Sequence, residues 1–494
     1  MFQLSAVLMI FEILIGFLIV VSFVFLFLFK DKIGGKRMAI IMKAMAVTLF
    51  ILVNIRSFWN DNFIWIINGG TYNKNFYKTH DYFHSILRWG MMISYIVLPC
   101  AVFLKNRTLK NIAVYFCLPF SVLALFFYND FLNYFITDSG RAIYVAEPLR
   151  HIEFCLEMIL CILLPLMIRF IDKHKFNVKD KKEWFYFFGM LPLIILTVIP
   201  VTVPQSLLGF SSKFMKPFTA PHFIWLAIIA LVFIGLYFGF RFTKYETRFT
   251  LCLFLSLYLF LHYNQIYLMD FNMKRLPFQL CNLGAYLILI AMLIRKQPFF
   301  DFVLIANVPG AMIALCMPDV SEGMLSYWNI HFYIEHMWVF LIPLLAVSLR
   351  IFARPGKHAI THFFVGFTAY FAICAFGGIL ANCILYKPFN SFFNRVNYFY
   401  IFDDTVLKVL PFLNFTKNLP ITINGYTFYP LYMLLIYTLF SVFCLIFYYI
   451  YKQLCIVGDN HFKLRQMRIE LRCKQGRYKK YIPKTEYELE DLNA

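Results

Sequence analysis

This chain of 494 residues is 61% hydrophobic and only 15% charged, with a mean hydropathy of +0.69, which excludes a soluble globular fold. Apolar stretches of about 20 residues recur along nearly its whole length, each long enough to cross a bilayer core of ~30 Å. They are continuous and do not alternate, so a closed β-barrel is excluded too, and an all-α polytopic membrane protein is expected.

In chain order, thirteen spans are predicted, at roughly 4–29, 38–58, 83–104, 111–135, 148–170, 184–204, 220–240, 248–269, 276–294, 299–317, 328–349, 359–385 and 427–451. No basic residue precedes the first run, which argues for a span that stays in place over a cleaved leader. The net charge of +20 gathers in loops that follow odd-numbered spans. These carry Lys30, Lys32, Lys36 and Arg37, then Lys105, Arg107 and Lys110, then Arg169 to Lys182. Arg241, Lys244 and Arg248, the pair Arg295 and Lys296, and Arg350, Arg354 and Lys357 complete the series. The excess of Lys and Arg on one side predicts a cell-membrane protein with these loops in the cytoplasm, the N-terminus outside and the C-terminus inside. The tail begins with Lys463, Arg465, Arg468, Arg472 and Lys474 and turns acidic at Glu486 to Asp491. It reads as a juxtamembrane polybasic segment attracted to anionic lipid head groups, with membrane lipids as partners and no nucleic acid. The twelve cysteines form neither a CxxC nor a Cys/His zinc pattern, so no disulfide framework, metal or other cofactor is expected.

Two halves of the chain look related. Leu118-Pro-Phe-Ser-Val-Leu-Ala-Leu125 and Val308-Pro-Gly-Ala-Met-Ile-Ala-Leu315 align at an offset of 190, which sets Pro119 on Pro309. One helix later an offset of 178 sets Glu157 on Glu335 and Leu163-Leu-Pro-Leu166 on Leu341-Ile-Pro-Leu344. The expected layout is a degenerate six-helix repeat at 1–217, a seven-helix domain at 218–453 and a cytoplasmic polybasic tail at 454–494, the repeats being parallel. At these offsets Cys281 falls on Met91 and His336 on Met158.

Cys281 and His336 are the candidate catalytic residues. Counting along their helices puts Cys281 ~8 Å and His336 ~12 Å below the outer boundary. The candidate substrate-binding residues Gln279, Asn282, His262, Glu335 and His222 lie near the same level, with Asn264, Gln265, His331 and Asp319. Polar side chains in lipid are costly and usually face a cavity or one another, so this set predicts a polar cavity open to the outer leaflet. A thiol activated by an imidazole suits acyl transfer through a thioester. Asn282 and Gln279 would donate to the carbonyl oxygen as it gains charge. The plainer alternatives stand beside this. A buried cysteine is most often an inert small hydrophobe. Glu335 and Glu157 read as structural hydrogen-bonding groups shared by both copies, and His331 as a solvated interface residue. Arg88, Asp130, Arg150, His151, Glu153 and Glu157 read as mutually paired.

The order of motifs in the second half resembles a known family. Pro221-His222 is followed by Leu276-Pro-Phe-Gln-Leu-Cys-Asn282, Pro318-Asp319, Tyr333-Ile-Glu-His336 and Asn397-Tyr-Phe-Tyr400. This is similar to the YwaF-type integral membrane proteins. It is also similar to their eukaryotic relatives, seven-span acyltransferases that place polyunsaturated acyl chains on ether lysophospholipids. The resemblance covers about 218–453 and implies that Cys281 and His336 are a catalytic pair. Bacterial members often carry His two residues before the cysteine, where this chain has Gln279, and the first half is not part of their pattern. The expected function is a lipid acyltransferase, with a multi-span transporter or solute-binding membrane protein as the alternative. A transporter would use both halves, whereas an enzyme tolerates one half without reactive groups.

Overall fold

The computed structural model describes residues 6–55, 82–104, 106–127, 147–201, 203–204, 215–269, 272–318, 323–388, 392–403, 407 and 411–474. Asp130 and Asp319, both named above, lie outside these residues, as do the side chains of Arg150 and His151. Among the described residues the regular structure is helical, apart from one short hairpin of β1 (Ile421–Ile423) and β2 (Tyr426–Phe428) in the loop before the last helix.

The first half contains α1 (Ala6–Ile33), α2 (Gly35–Ile55), α3 (Tyr82–Phe103), α4 (Arg107–Phe126), α5 (Glu147–Phe170) and α6 (Lys181–Thr197). The second contains α7 (Ala220–Phe240), α8 (Tyr245–Asn264), α9 (Leu280–Ile294), α10 (Gln297–Cys316), α11 (Tyr327–Ser348), α12 (Ala359–Leu385) and α13 (Pro430–Lys474). Each of the thirteen expected spans holds one of these helices. Among the described residues, nine are long and apolar enough to cross a membrane. α6 and α9 have 17 and 15 residues, so each is short of the ~20 residues that a straight crossing needs.

α13 corrects one boundary. The last span was expected to end at 451, with a soluble tail beyond it. The backbone instead continues as one helix of 45 residues, or roughly 68 Å at 1.5 Å per residue, twice the bilayer core. The basic run from Lys463 to Lys474 is therefore part of this helix. Asp459 on α13 pairs with Arg350 and Arg354 of the α11–α12 loop, which fixes where the helix leaves the bundle.

α4 and α10 share an unusual construction. Each has a six-residue helical start, Arg107–Ile112 or Gln297–Phe302, and then a five-residue π-helical stretch, Ala113–Cys117 or Val303–Asn307. Each ends in nine residues, Leu118–Phe126 or Val308–Cys316, with proline in the first turn. All three segments stand 190 residues apart. Proline lacks the N–H for an i→i−4 bond and its ring crowds that carbonyl, and a widened turn just before it relieves both. The packing partners also match: α5 touches α1, α2, α3 and α4, while α11 touches α7, α8, α9 and α10. α11 is thus the central helix of the second half, and the halves meet where α8 packs on α2 and α3.

Candidate functional site

α11 is fixed at its N-terminal end by Ser326, whose hydroxyl accepts from the Asn329 N–H at 3.3 Å and so satisfies one of the free amides of the first turn. The next turns carry His331, Glu335 and His336. Glu335 is 3% exposed and lies at the centre of the polar cluster. Its Oε2 is 3.5 Å from His331 Nδ1, while its Oε1 is buried without a hydrogen-bond partner among the described residues. His331 Nε2 is buried and unpartnered as well. The Glu335 carboxyl is also near enough to Cys281, Arg275 and the hydroxyls of Tyr263, Tyr267 and Tyr286 for direct electrostatic interaction.

Cys281 is the second residue of α9, and the segment before it is held at every peptide. The Phe278 carbonyl accepts from Tyr370 Oη at 2.8 Å and from Cys374 Sγ at 3.2 Å. Gln279 donates to the Asn397 carbonyl at 2.7 Å and accepts from the Phe399 N–H at 3.0 Å. The Leu280 carbonyl accepts from Asn307 Nδ2 at 2.7 Å. The first hydrogen bond of α9 runs from the Leu283 N–H to the Gln279 carbonyl at 2.9 Å. The N–H groups of Leu280, Cys281 and Asn282 therefore precede the helical ladder, at the positive end of the helix dipole.

Register between α9 and α11 is set by Gly284. A Cβ there would come within 2.6 Å of Asn307 Nδ2 and 3.1 Å of Val339 Cγ1, so only glycine allows this approach. Cys281 is three residues before Gly284, and His336 three before Val339. α9 and α11 are separated by one returning helix and run the same way, so both residues stand about 4.5 Å nearer the helix N-termini than that contact. The thiol and the Glu335–His336 turn are therefore at one level. Cys281 is half-buried. No hydrogen bond joins Cys281 to His336 among the described residues.

The His336 ring has a defined tautomer. Nδ1 lies 2.7 Å from the Phe332 carbonyl, an acceptor, so Nδ1 carries the hydrogen and Nε2 keeps its lone pair. The ring rests on Phe332, with centroids 4.1 Å apart. His336 retains 8% exposure.

The remaining candidates divide. Asn282 is half-buried beside Cys281. His222 is committed to the fold: Nδ1 accepts from the Phe218 N–H at 2.9 Å and Nε2 donates to the Leu315 carbonyl at 2.8 Å, which ties α7 to the end of α10. His262 is fully buried, contacts Tyr258 Oη and the His331 carbonyl at 3.4 Å each, and stacks on His331 at 4.9 Å. Gln279 holds the outer loop. His331 corrects the expectation of a solvated interface residue: at 2% exposure it is sandwiched between α8 and Glu335.

The Asn397-Tyr-Phe-Tyr400 motif is the other half of the Gln279 clamp. Phe399 and Tyr400 take φ of 52° and 56°, a conformation that costs non-glycine residues energy and persists only where the surroundings impose it. Here the left-handed turn drives the Phe399 ring between Phe367, Tyr370 and Phe440. The Tyr398 hydroxyl donates to the Met273 carbonyl at 2.6 Å. The loop is thus fastened over the start of α9.

Tyr263, Tyr267, Tyr286, Arg275 and Asn307 were not singled out from sequence. In a chain with 31 tyrosines, a tyrosine signals nothing by itself. The available clue was spacing, since Tyr263 and Tyr267 are four apart and share a helix face.

No curated protein and no solved structure matches the chain. Residues 217–450, from just before α7 into α13, match the model of the TMEM164 family, a multi-span membrane family. The second half, which holds Cys281, Glu335 and His336, is therefore what this chain shares with that family.

Proposed function

We propose that the second half is a lipid acyltransferase that works through a thioester on Cys281. The observation that carries this reading is the placement of Cys281 in the first turn of α9. It stands level with the Glu335–His336 turn of α11, whose imidazole Nε2 keeps its lone pair. Nε2 takes the thiol proton, and the thiolate attacks the ester carbonyl carbon of an acyl lipid. The backbone N–H groups of Cys281 and Asn282, free of the helical ladder, receive the oxyanion, with the Asn282 side chain beside them. The C–O bond breaks and the leaving alkoxide takes the proton from Nε2, which leaves the acyl group on sulfur. An acceptor hydroxyl then gives its proton to Nε2 and attacks the thioester, and the thiol is regenerated as the new ester departs. The basic loops support a cytoplasmic C-terminus and an outer-leaflet site.

The test is a comparative lipidome of cells expressing the wild-type chain or Cys281→Ala at equal membrane levels. A species class that is enriched only with wild type supports acyl transfer. Identical lipidomes across every acyl class would refute it.

A further inference from the structure

The two halves meet along α2 and α8, and they meet at counterpart residues. Phe50 of α2 stacks on Phe260 of α8 with ring centroids 5.9 Å apart. One turn further out, Asn264 Nδ2 donates to Asn54 Oδ1 at 2.8 Å. Both pairs are 210 residues apart, as are the first residues of the two helices, Gly35 and Tyr245. In a self-complementary interface, residue i meets j and j meets i, and only residues on the two-fold axis meet their own counterparts. Two such contacts, one turn apart, trace an axis along these helices.

Packing inside each half gives the same relation independently. A Cβ on Gly90 would strike the Phe120 ring at 2.1 Å. At the offset of 190 the counterparts are Leu280 and Gly310, and here it is Gly310 whose Cβ would meet Leu280 at 3.1 Å. The same contact is built with large and small residues exchanged. Ser94 reaches Cys117, and their counterparts Gly284 and Asn307 also touch.

We propose that the chain is a fused pseudo-dimer about an axis through α2 and α8, in which the first half is the built-in partner and Asn54 is a positioning residue for the Cys281–Glu335 site. The chemistry performed there rests on the acyl-transfer reading, but the geometry does not. Asn54 Nδ2 donates to the Phe50 carbonyl at 2.7 Å, which turns Oδ1 toward Asn264. That fixes the Asn264 amide with nitrogen toward the axis and oxygen toward the site, where it accepts from Tyr286 Oη at 2.6 Å. Tyr286 in turn hydrogen-bonds Tyr267, and both interact electrostatically with Glu335. A flipped Asn264 would set two carbonyl oxygens face to face, so orientation passes from the first half to the tyrosines without slack. A second route runs beside it. The Ile199 carbonyl, at the end of the first half, accepts from Tyr258 Oη at 2.9 Å. Tyr258 contacts His262, which stacks on His331 beside Glu335.

The experiment uses the full chain in nanodiscs of a diether phosphatidylcholine, which offers Cys281 no ester to attack, and reads the iodoacetamide alkylation rate of Cys281 by peptide mass spectrometry. This readout needs no acyl substrate, so it stands or falls separately from the proposed chemistry. Asn54→Leu is expected to change the rate by about threefold or more, the size of an average side-chain hydrogen bond between membrane helices. Asn54→Asp, which when protonated keeps both an acceptor and a donor in place, restores it. In a Tyr286→Phe background Asn54→Leu adds nothing, because the link it breaks is already cut. Asn54→Ala removes the same group without bulk and is read in the same way. Unchanged rates in Asn54→Leu and Asn54→Ala, effects additive with Tyr286→Phe, or an Asn54→Asp chain as altered as Asn54→Leu would each overturn the proposal.

Discussion

Gly284→Ala is the smallest change that tests how the site is held. The new methyl would lie 2.6 Å from Asn307 Nδ2 and 3.1 Å from Val339 Cγ1. Val339 can yield a few tenths of an ångström. Asn307 cannot keep its place, because its amide is both the obstacle and the donor to the Leu280 carbonyl at 2.7 Å. Swinging the amide away leaves a buried carbonyl unpaired, a loss of about 1–3 kcal/mol in soluble proteins. Hydrogen bonds between membrane helices average nearer ~0.6 kcal/mol, so the lower part of that range, about 1 kcal/mol, is expected. The freed carbonyl precedes Cys281 by one peptide, so the thiol shifts as well. Thermal unfolding in detergent and Cys281 alkylation should change together. Asn307→Ala should cost a similar amount by losing the same bond. Gly284→Ala with Asn307→Ala should cost no more than Asn307→Ala alone, since the truncated side chain leaves room for the methyl. Wild-type stability and reactivity in Gly284→Ala, or full additivity in the double variant, would refute the argument.

Three other expectations follow from the packing and the loops. Burial, with Arg107 and Lys110 nearby, lowers the pKa of His174 in the α5–α6 loop, against the opposing pull of Glu183 and Asp172; its Nε2 donates to Asn111 at 2.7 Å. A depressed histidine pKa means that the unfolded chain binds the proton more readily, so this stabilisation is present above about pH 6.5 and lost as pH falls below it; His174→Gln should flatten the decline in melting temperature between pH 7 and pH 5. Gly90→Leu should lower the melting temperature by several degrees through overpacking, about 1–3 kcal/mol, and Phe120→Gly in the same chain should recover most of it by recreating the Leu280–Gly310 contact in the first half. A cysteine placed in 387–426 should react with an impermeant maleimide from outside intact cells while Lys179→Cys should not, and the reverse pattern would invert the orientation.

The helices were legible because a bilayer enforces them: an apolar run of about 20 residues must bond its own backbone, and only a helix does so alone. What the sequence hid was lateral. Counting along α11 put His331 near the water interface, yet depth along one helix says nothing about the neighbour that covers it, and His262 of α8 does. The Asn397-Tyr-Phe-Tyr400 motif could be seen as a motif, but its partner Gln279 is more than a hundred residues away and the clamp exists only once both are placed. The prolines at 119 and 309 were visible, whereas the π-helical turns before them were not, since a single extra residue in a turn leaves no trace in hydropathy. Glu335 was read as structural because its counterpart Glu157 recurs in the first half. Its environment differs: Glu157 accepts from Tyr95 Oη at 3.2 Å, while Glu335 pairs with His331 and interacts electrostatically with a thiol and three tyrosine hydroxyls.

That contrast bears on what the first half is for. On the proposed pseudo-symmetry, Met91 and Met158 occupy the places of Cys281 and His336. Both methionines are fully buried, whereas Cys281 is half-buried and His336 keeps some exposure. The same location is fully buried in one half and less completely buried in the other. Methionine is the unbranched, adaptable residue that fills irregular gaps, so its presence at both positions closes the space as well as removing the reactive groups. A transporter built on such a repeat would need a passage through both copies or between them, and the buried Met91 and Met158 weigh against one at that place in the first half. An enzyme needs one open site and a rigid frame to hold it. The contacts across α2 and α8 supply that frame through a hydrogen-bonded asparagine pair and the Ile199–Tyr258 bond, both of which point toward the open half. On the proposed acyl-transfer reading, a first half with buried methionines that still reaches into the second half's polar cluster serves as a fused, silent partner.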